Sequence, residues 1–393
     1  MEGTGTNLRM PLNPPFNFEY EAIYSQPQFA LPPSNAQQGL TALRPADPYR
    51  GANIRLWDPF VRPANTQQWN LTLERQIGDM VATAGYVGQH GTHLIVPMPY
   101  FQRQLLGVNV SPTGVRSAVT APSPYLSGNP ALAVIAQISG TEANGNQQYH
   151  SLQTTLRKRM SKGLEFLGTY TFSKGMSDAI GYYGEGGQSA NQSAYFQNFY
   201  DRRAEWGPTY FDARHMFNLS HVWDIPVGKG RQFGSSMNRV LNGFIGNWQL
   251  SGILTLRSGF PLTIQSANNS GTNSRGARAS VVSGRSGNNT FGQVGLNSKW
   301  FDTSVYRTPL TGEFGDVGIG TERGPGLATY DLSIQKEFPI KERVRIELRG
   351  EFFNLTNSPI FNSPNRSQTA TNFGELAGAQ GERQGQLALR LTF

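Results

Sequence analysis

The chain has 393 residues and a net charge of +8, with 34 Lys and Arg against 26 Asp and Glu and no cysteine. Only 15% of its residues are charged, against about 25% in soluble domains, while 45 glycines and 11% aromatics favour turns and strands over helices. The missing cysteines exclude disulfides, thiolate metal sites and cysteine nucleophiles, and the Lys and Arg residues are scattered, with no basic cluster among aromatics to mark a nucleic-acid surface.

The start, MEGTGTNLRMPLNPPF, has no basic segment followed by an apolar run and does not read as a secretory signal. No run of about 18 apolar residues exists, so no transmembrane helix is expected. Residues 1–66 are rich in Pro, Asn and Gln. Phe16, Phe18 and Tyr20 alternate there with Asn17, Glu19 and Glu21, which allows one short strand.

From residue 67 onward the dominant pattern is alternation of apolar and polar residues, in stretches of about ten. A tilted strand needs roughly 9–11 residues to cross a bilayer, whereas a globular strand averages about 5–6. Trp69, Leu71 and Leu73 share one face of a strand at 67–77. Met80, Ala82, Ala84 and Tyr86 follow at 80–90, across a turn at Gly78-Asp79. A weaker pattern, Leu152, Thr154 and Leu156, marks 147–159. Leu164, Phe166, Tyr170 and Phe172 oppose Glu165, Thr169 and Thr171 at 164–174. Phe217, Leu219, Trp223 and Ile225 oppose Asn218, Ser220 and Asp224 at 213–225. Trp248, Leu250, Leu254 and Leu256 oppose Gln249, Ser251 and Thr255 at 246–257. Tyr330, Leu332 and Ile334 oppose Asp331, Ser333 and Gln335 at 327–338. The clearest case lies at 343–355, where Val344, Ile346, Leu348, Gly350 and Phe352 face away from Arg345, Glu347, Arg349 and Glu351. The last strand, 384–393, sets Leu387, Leu389, Leu391 and Phe393 against Ala388, Arg390 and Thr392.

The connections sort by length. Short ones fall at Gly78-Asp79, Met160–Gly163 and Pro339–Glu342, with a middle-length link at Pro226–Ile245; long ones fill 91–146, 175–212, 258–326 and 356–383. Short turns on one side and long loops on the other describe an outer-membrane barrel with periplasmic turns and extracellular loops. The expected fold is all-β: an antiparallel transmembrane meander of about nine strands, part of a larger barrel, covering residues 67–393, with 1–66 as an extracellular loop region. The apolar faces should meet lipid and the charged faces the lumen, where the charges of 343–355 can pair across it. Aromatics near strand ends, among them Trp69, Tyr86, Trp223, Trp248, Phe338 and Phe393, suit the bilayer interfaces.

Catalytic chemistry finds no support. There is no G-x-S-x-G, H-E-x-x-H or phosphate-binding loop, and no catalytic or cofactor-binding residue stands out. His90 and His93 lie in QHGTH, but no third ligand is placed beside them, so a loop role is preferred to metal binding. The glycine-rich run VGIGTERGPG, residues 317–326, leads into a strand and not a helix, which leaves a mobile extracellular loop. One loop invites a binding role: Tyr182, Tyr183, Tyr195, Phe196, Phe199, Tyr200, Trp206, Tyr210 and Phe211 stand among Asp201, Arg202, Arg203 and Glu205. Rings beside charges suit stacking on a sugar or siderophore. The plainer reading is that they pack the loop into a lid over the barrel mouth.

The stretches QQWNLTLERQIG and GYVGQHGTHL, then YHSLQTTLRKRMSKGLEFLGTYTFSKGMSD, RHMFNLSHVWDIPVGKGR, GNWQLSGILTLRSGFPLT, FGDVGIGTERGPG, YDLSIQKEFPI and RIELRGEFFNLTNSPIFNSPN together resemble TonB-dependent outer-membrane receptors. The resemblance is to the Oar-like branch, which carries a carboxypeptidase-regulatory-like domain, and runs from about residue 50 to the end. It implies a barrel of about 22 strands, of which this sequence supplies the last nine, and a signal peptide, small β-sandwich, plug and TonB-contacting segment upstream. Two open strand edges, unsatisfied in lipid, also call for a partner segment. The resemblance implies uptake of a scarce nutrient, with outer-membrane lipid, an unidentified small ligand, TonB through upstream parts and the barrel-assembly machinery as partners. Leu387, Leu389, Leu391 and Phe393 resemble the C-terminal signal that this machinery reads. A passive pore or surface adhesin is the first alternative and a soluble all-β secreted binding protein the second; strand length and loop sorting argue against the latter.

Overall fold

The computed structural model describes residues 53–57, 60–127, 137–179, 196–282, 298–341 and 344–393. Nine long strands carry the fold, at the places the alternation predicts: β1 (Asn65–Ile77), β2 (Met80–Met98), β3 (Gln137–Ser161), β4 (Leu164–Ser177), β5 (His215–Asp224), β6 (Trp248–Arg257), β7 (Leu327–Lys341), β8 (Val344–Phe353) and β9 (Gln384–Thr392). Each pairs antiparallel with its sequence neighbour, so the sheet is the expected meander. The sheet is open: β1 and β9 lie at its two ends and do not pair with each other.

Turn chemistry fixes the tight links. Gly78 takes φ +62° between β1 and β2, and Lys162 and Gly163 take φ +52° and +79° between β3 and β4; these left-handed conformations match the right-handed strand twist that two-residue hairpins require. The long links gather at the other end. There β2 and β3 overrun their predicted limits, reaching 19 and 25 residues, well past the roughly 9–11 that cross a bilayer. A strand at Asn53–Trp57 pairs in parallel with Gln137–Thr141, inside the region read as loop. The short strand expected near Phe16–Tyr20 lies outside the described residues.

Register separates the two faces. One row runs Leu254, Leu219, Gly168, Leu156 and Ala82 across β6, β5, β4, β3 and β2, with Tyr330 beside Leu254. The next row up holds Leu256, Phe217, Tyr170, Thr154, Ala84 and Leu73. The opposite face carries Glu165, Val222, Ser251, Ser333, Glu351 and Gln386 in one row. The apolar face is left open to its surroundings, with Leu73 69% and Leu389 73% exposed. Such a surface, in strands long enough to cross a bilayer, fits contact with lipid. On this face Gly88 makes room for Trp69, whose indole lies where a Cβ on residue 88 would sit. The polar face is less uniform than the sequence pattern implies, since Leu167, Ile253 and Phe353 lie on it and are exposed.

The charges of β8 pair with near neighbours: Arg349 lies 3.4 Å from both Glu347 and Glu351 on its own strand, and Arg345 lies 3.8 Å from Glu337 of β7. Residues two apart on one strand face, and residues on adjacent strands, are close neighbours. Three bases sit on the apolar face toward the short-turn end, Arg75, Lys158 and Lys336. A base at the bilayer midplane would cost about 2–4 kcal/mol, falling toward zero at the interface. Lys158 reaches Asp79 in the neighbouring turn.

The long connections are not loose. Leu262, Ile264, Ala279, Phe301, Val305, Tyr306, Val317 and Phe373 form a buried core within them, helped by the short pairs Pro261–Leu262 with Glu322–Arg323 and Ser280–Val281 with Tyr306–Arg307. The glycine-rich run, expected to be mobile, is part of this cap. Val317 and Glu322 are buried, and Arg323 donates to Asp212 at 2.6 Å while Asp212 accepts from the Gly175 backbone at 2.8 Å. Glycine serves close approach here: a Cβ on Gly315 would meet the Arg278 carbonyl at 2.0 Å.

Candidate functional site

The aromatic loop singled out in the sequence divides into three groups. Tyr182, Tyr183 and Tyr195 lie outside the described residues. Phe196 is 2% exposed and packs with Val96 and Met98, so its ring anchors the loop and does not offer a face to a ligand; it corrects the expectation for that residue. Tyr200 and Trp206 stay partly exposed, at 37% each. The segment runs close along the upper ends of β2 and β3 because the apolar side chain of Phe196 needs cover.

Gln102, which the sequence reading missed, places the loop. Its side chain, fully buried, donates to the Gln197 carbonyl at 2.8 Å and accepts from the Phe199 backbone at 2.7 Å, and its own carbonyl accepts from the Tyr200 hydroxyl at 2.9 Å. A glutamine in a linker carries no sequence signal of such a role. Its bonds bring two rings of the loop against two rings from the β2–β3 connection. Tyr100 and Tyr125 lie 4.8 Å apart, centroid to centroid, and Phe199 lies 5.8 Å from Tyr100, 5.9 Å from Tyr125 and 5.2 Å from Tyr200. These are tilted and edge-on contacts of the favourable kind. Tyr100 donates to Glu142 at 2.6 Å. Burial holds the Tyr200 phenol above its ordinary value, so it serves as a neutral donor.

The charges of the loop are mostly spoken for. Arg202 donates to the Asn144 carbonyl at 2.9 Å and lies 3.3 Å from Asp178, and Glu205 pairs with Arg278. Asp201 and Arg203 remain exposed. The cluster therefore offers ring edges and faces from Tyr125 and Tyr200, with Trp206 nearby in sequence. His90 lies in β2 and His93 takes φ +58° at an irregularity in that strand; among the described residues no group of three His, Cys, Asp or Glu could hold a metal.

Two further surfaces bear on function. On the polar face a concavity of ≈ 910 Å³ is lined by Arg157, Glu165, Ser251, Asp331, Ser333 and Glu351. An apolar groove of ≈ 600 Å³, which includes Leu156, Phe166, Phe217 and Leu219, opens on the other side. At the sheet end, Leu387, Leu389, Leu391 and Phe393 are 82%, 73%, 57% and 93% exposed, on and just after a strand that among the described residues pairs with β8 alone.

The family model for the outer membrane beta barrel domain matches residues 1–386. No curated protein matches the sequence. Among solved structures, the outer membrane transporter YddB from Escherichia coli is similar at 12% identity and a TM-score of 0.42, over 87% of this chain and 34% of that one. The siderophore receptor PirA from Acinetobacter baumannii matches at 10% identity and a TM-score of 0.38, over 85% and 32%. The FrpB iron transporter from Neisseria meningitidis matches at 10% identity and a TM-score of 0.36, over 86% and 32%. The chain thus spans about a third of the length of these structures.

Proposed function

We propose, since the chain belongs to the outer membrane beta barrel domain family, that it forms the C-terminal arc of a TonB-dependent receptor of the Oar-like branch and serves the uptake of a scarce nutrient. Its place is the outer membrane, where the exposed apolar face of the nine strands meets lipid. One observation carries the receptor reading: the long connections form a packed cap with a built aromatic cluster at one end of the sheet. A receptor needs a fixed surface on which to capture its ligand, and a packed roof with preorganised rings supplies one. The series of matching stretches from QQWNLTLERQIG to RIELRGEFFNLTNSPIFNSPN supports the same reading. The two free edges of the sheet fit an arc that further strands complete.

In this reading Tyr125, Tyr200 and Trp206 make first contact with the ligand, a ring-bearing or sugar-like molecule, and TonB acts through parts of the full-length protein that precede the barrel arc. The test is uptake by cells expressing the full-length protein, with ferric chelates and oligosaccharides as trial nutrients, in the presence and absence of TonB. TonB-dependent accumulation supports the proposal. Undiminished entry without TonB replaces it with a passive pore, and surface attachment without entry replaces it with an adhesin.

A further inference from the structure

The middle-length connection between β5 and β6, on the short-turn side, contains a helix that the strand pattern did not predict, Arg239–Ile245. Asn238 caps it, its side chain accepting from the Leu241 backbone at 2.8 Å. At 3.6 residues per turn, Val240, Leu241, Phe244 and Ile245 fall within an arc of about 140°. All four are exposed, Val240 at 72% and Phe244 at 73%. The polar side is the occupied one: Asn242 accepts from the Lys229 backbone at 2.7 Å.

The helix is tied to the apolar face of the sheet. Lys336 and Trp248 are register partners on that face. Trp248 donates from its indole to the Phe244 carbonyl at 2.9 Å. Lys336 donates to the Gly246 carbonyl and, at 3.3 Å, to the Asn242 carbonyl. Its ammonium also lies 5.0 Å from the Trp248 ring and 5.3 Å from that of Phe338. A base on a lipid-facing strand is thus hydrogen-bonded by carbonyls at the C-terminal end of the helix, the end that carries the negative pole of its dipole. Exposed Lys229 and Arg239 lie on the polar side of the helix, away from the apolar stripe.

We propose that Arg239–Ile245 is an in-plane membrane anchor. It lies in the periplasmic leaflet of the outer membrane with Val240, Leu241, Phe244 and Ile245 among the acyl chains and Lys229 and Arg239 at the anionic headgroups of phospholipids. Two observations select lipid over a protein partner. The stripe is continuous with the lipid-facing sheet through Trp248 and Lys336, and the opposite, polar side carries basic Lys229 and Arg239, which is the arrangement of interfacial helices. The inference rests on the outer-membrane assignment and not on the transport reading.

The test uses the full-length protein reconstituted in vesicles of phosphatidylethanolamine and phosphatidylglycerol. The 393 residues contain no cysteine, so single thiols for nitroxide labelling can be introduced here as Val240→Cys, Phe244→Cys, Lys229→Cys and Leu256→Cys. Labels at Val240 and Phe244 should match the lipid-facing control at Leu256: high collision with oxygen and at least fivefold less with a water-soluble nickel chelate than at Lys229. Collision with the chelate equal to that at Lys229 would overturn the proposal by placing the helix in water. Protection from both reagents would overturn it by placing a protein surface over the stripe. A water-like signal at Leu256 would instead sink the outer-membrane assignment on which the proposal stands.

Discussion

The Arg278 guanidinium donates to the Glu205 carboxylate at 2.7 Å, with side-chain exposures of only 4% and 1%. The pair joins the loop after β4 to the loop after β6, and Gln197 completes it by donating its backbone N–H to Glu205 at 2.8 Å and accepting from the Arg278 backbone at 2.8 Å. Two loops far apart in sequence are thereby locked into one cap.

Breaking this pair should loosen the cap and spare the sheet. Glu205→Ala leaves a buried guanidinium uncompensated, at a cost of about 3–5 kcal/mol. Hydrogen exchange should show lost protection across 196–212 and 270–282 with β1–β9 unchanged. Unaltered protection in both loops would deny the pair its role.

The same site sets a pH dependence. Burial pushes the Glu205 carboxyl above its ordinary value, and Arg278 only partly offsets it. A carboxyl whose folded value is raised contributes stability that is fully present below its unfolded value and is lost as pH rises through the folded one. The urea midpoint of cap unfolding should therefore fall between acid and alkaline pH, and Glu205→Gln should flatten that slope. A midpoint that rises with pH would contradict it.

The assignment of faces predicts opposite outcomes for adjacent residues. Leu256→Arg, in the row with Phe217 and Leu73, should cost about 2–4 kcal/mol of folding free energy in vesicles, whereas Thr255→Arg on the lumen side should cost little. Equal losses for the two variants would mean that the faces are not lipid and water.

Gln102→Ala should release the aromatic cluster. It strands the Phe199 backbone N–H and removes the bond to the Gln197 carbonyl, for about 1–3 kcal/mol. Oxidative footprinting should show Phe199 and Tyr200 more reactive. If the cluster captures the ligand as proposed, binding by the full-length receptor should weaken alongside; intact binding with a released cluster would move the ligand site elsewhere.

Deleting Phe393 from the full-length protein should sharply reduce barrel assembly, while Trp69→Ala, another exposed aromatic on the apolar face, should reduce it little. The ring can sit at the periplasmic interface and its strand can add to an open sheet edge of the assembly machinery. Equal membrane insertion of both variants would leave Leu387, Leu389, Leu391 and Phe393 as an ordinary closing strand.

The sequence by itself determined the nine strands, their order and their two faces. A period of two sustained over Val344–Phe352 or Trp248–Leu256 admits one geometry, and a single-residue slip would turn every leucine of β9 to the lumen side. Tight links such as Lys162-Gly163 were legible for the same local reason. The tertiary structure alone decided the cap, because Gln102, Glu205, Arg278 and Asp212 hold it through contacts between distant loops that no periodicity records. It also decided that Phe196 is an anchor and Tyr200 an exposed ring, since burial depends on which neighbours a loop meets. The helix Arg239–Ile245 falls between the two cases. Its Asn238 cap and the spacing of Val240, Leu241, Phe244 and Ile245 are present in the sequence, but a stretch this short forms little helix unaided, and it is Lys336 and Trp248 of the neighbouring strands that hold it in place.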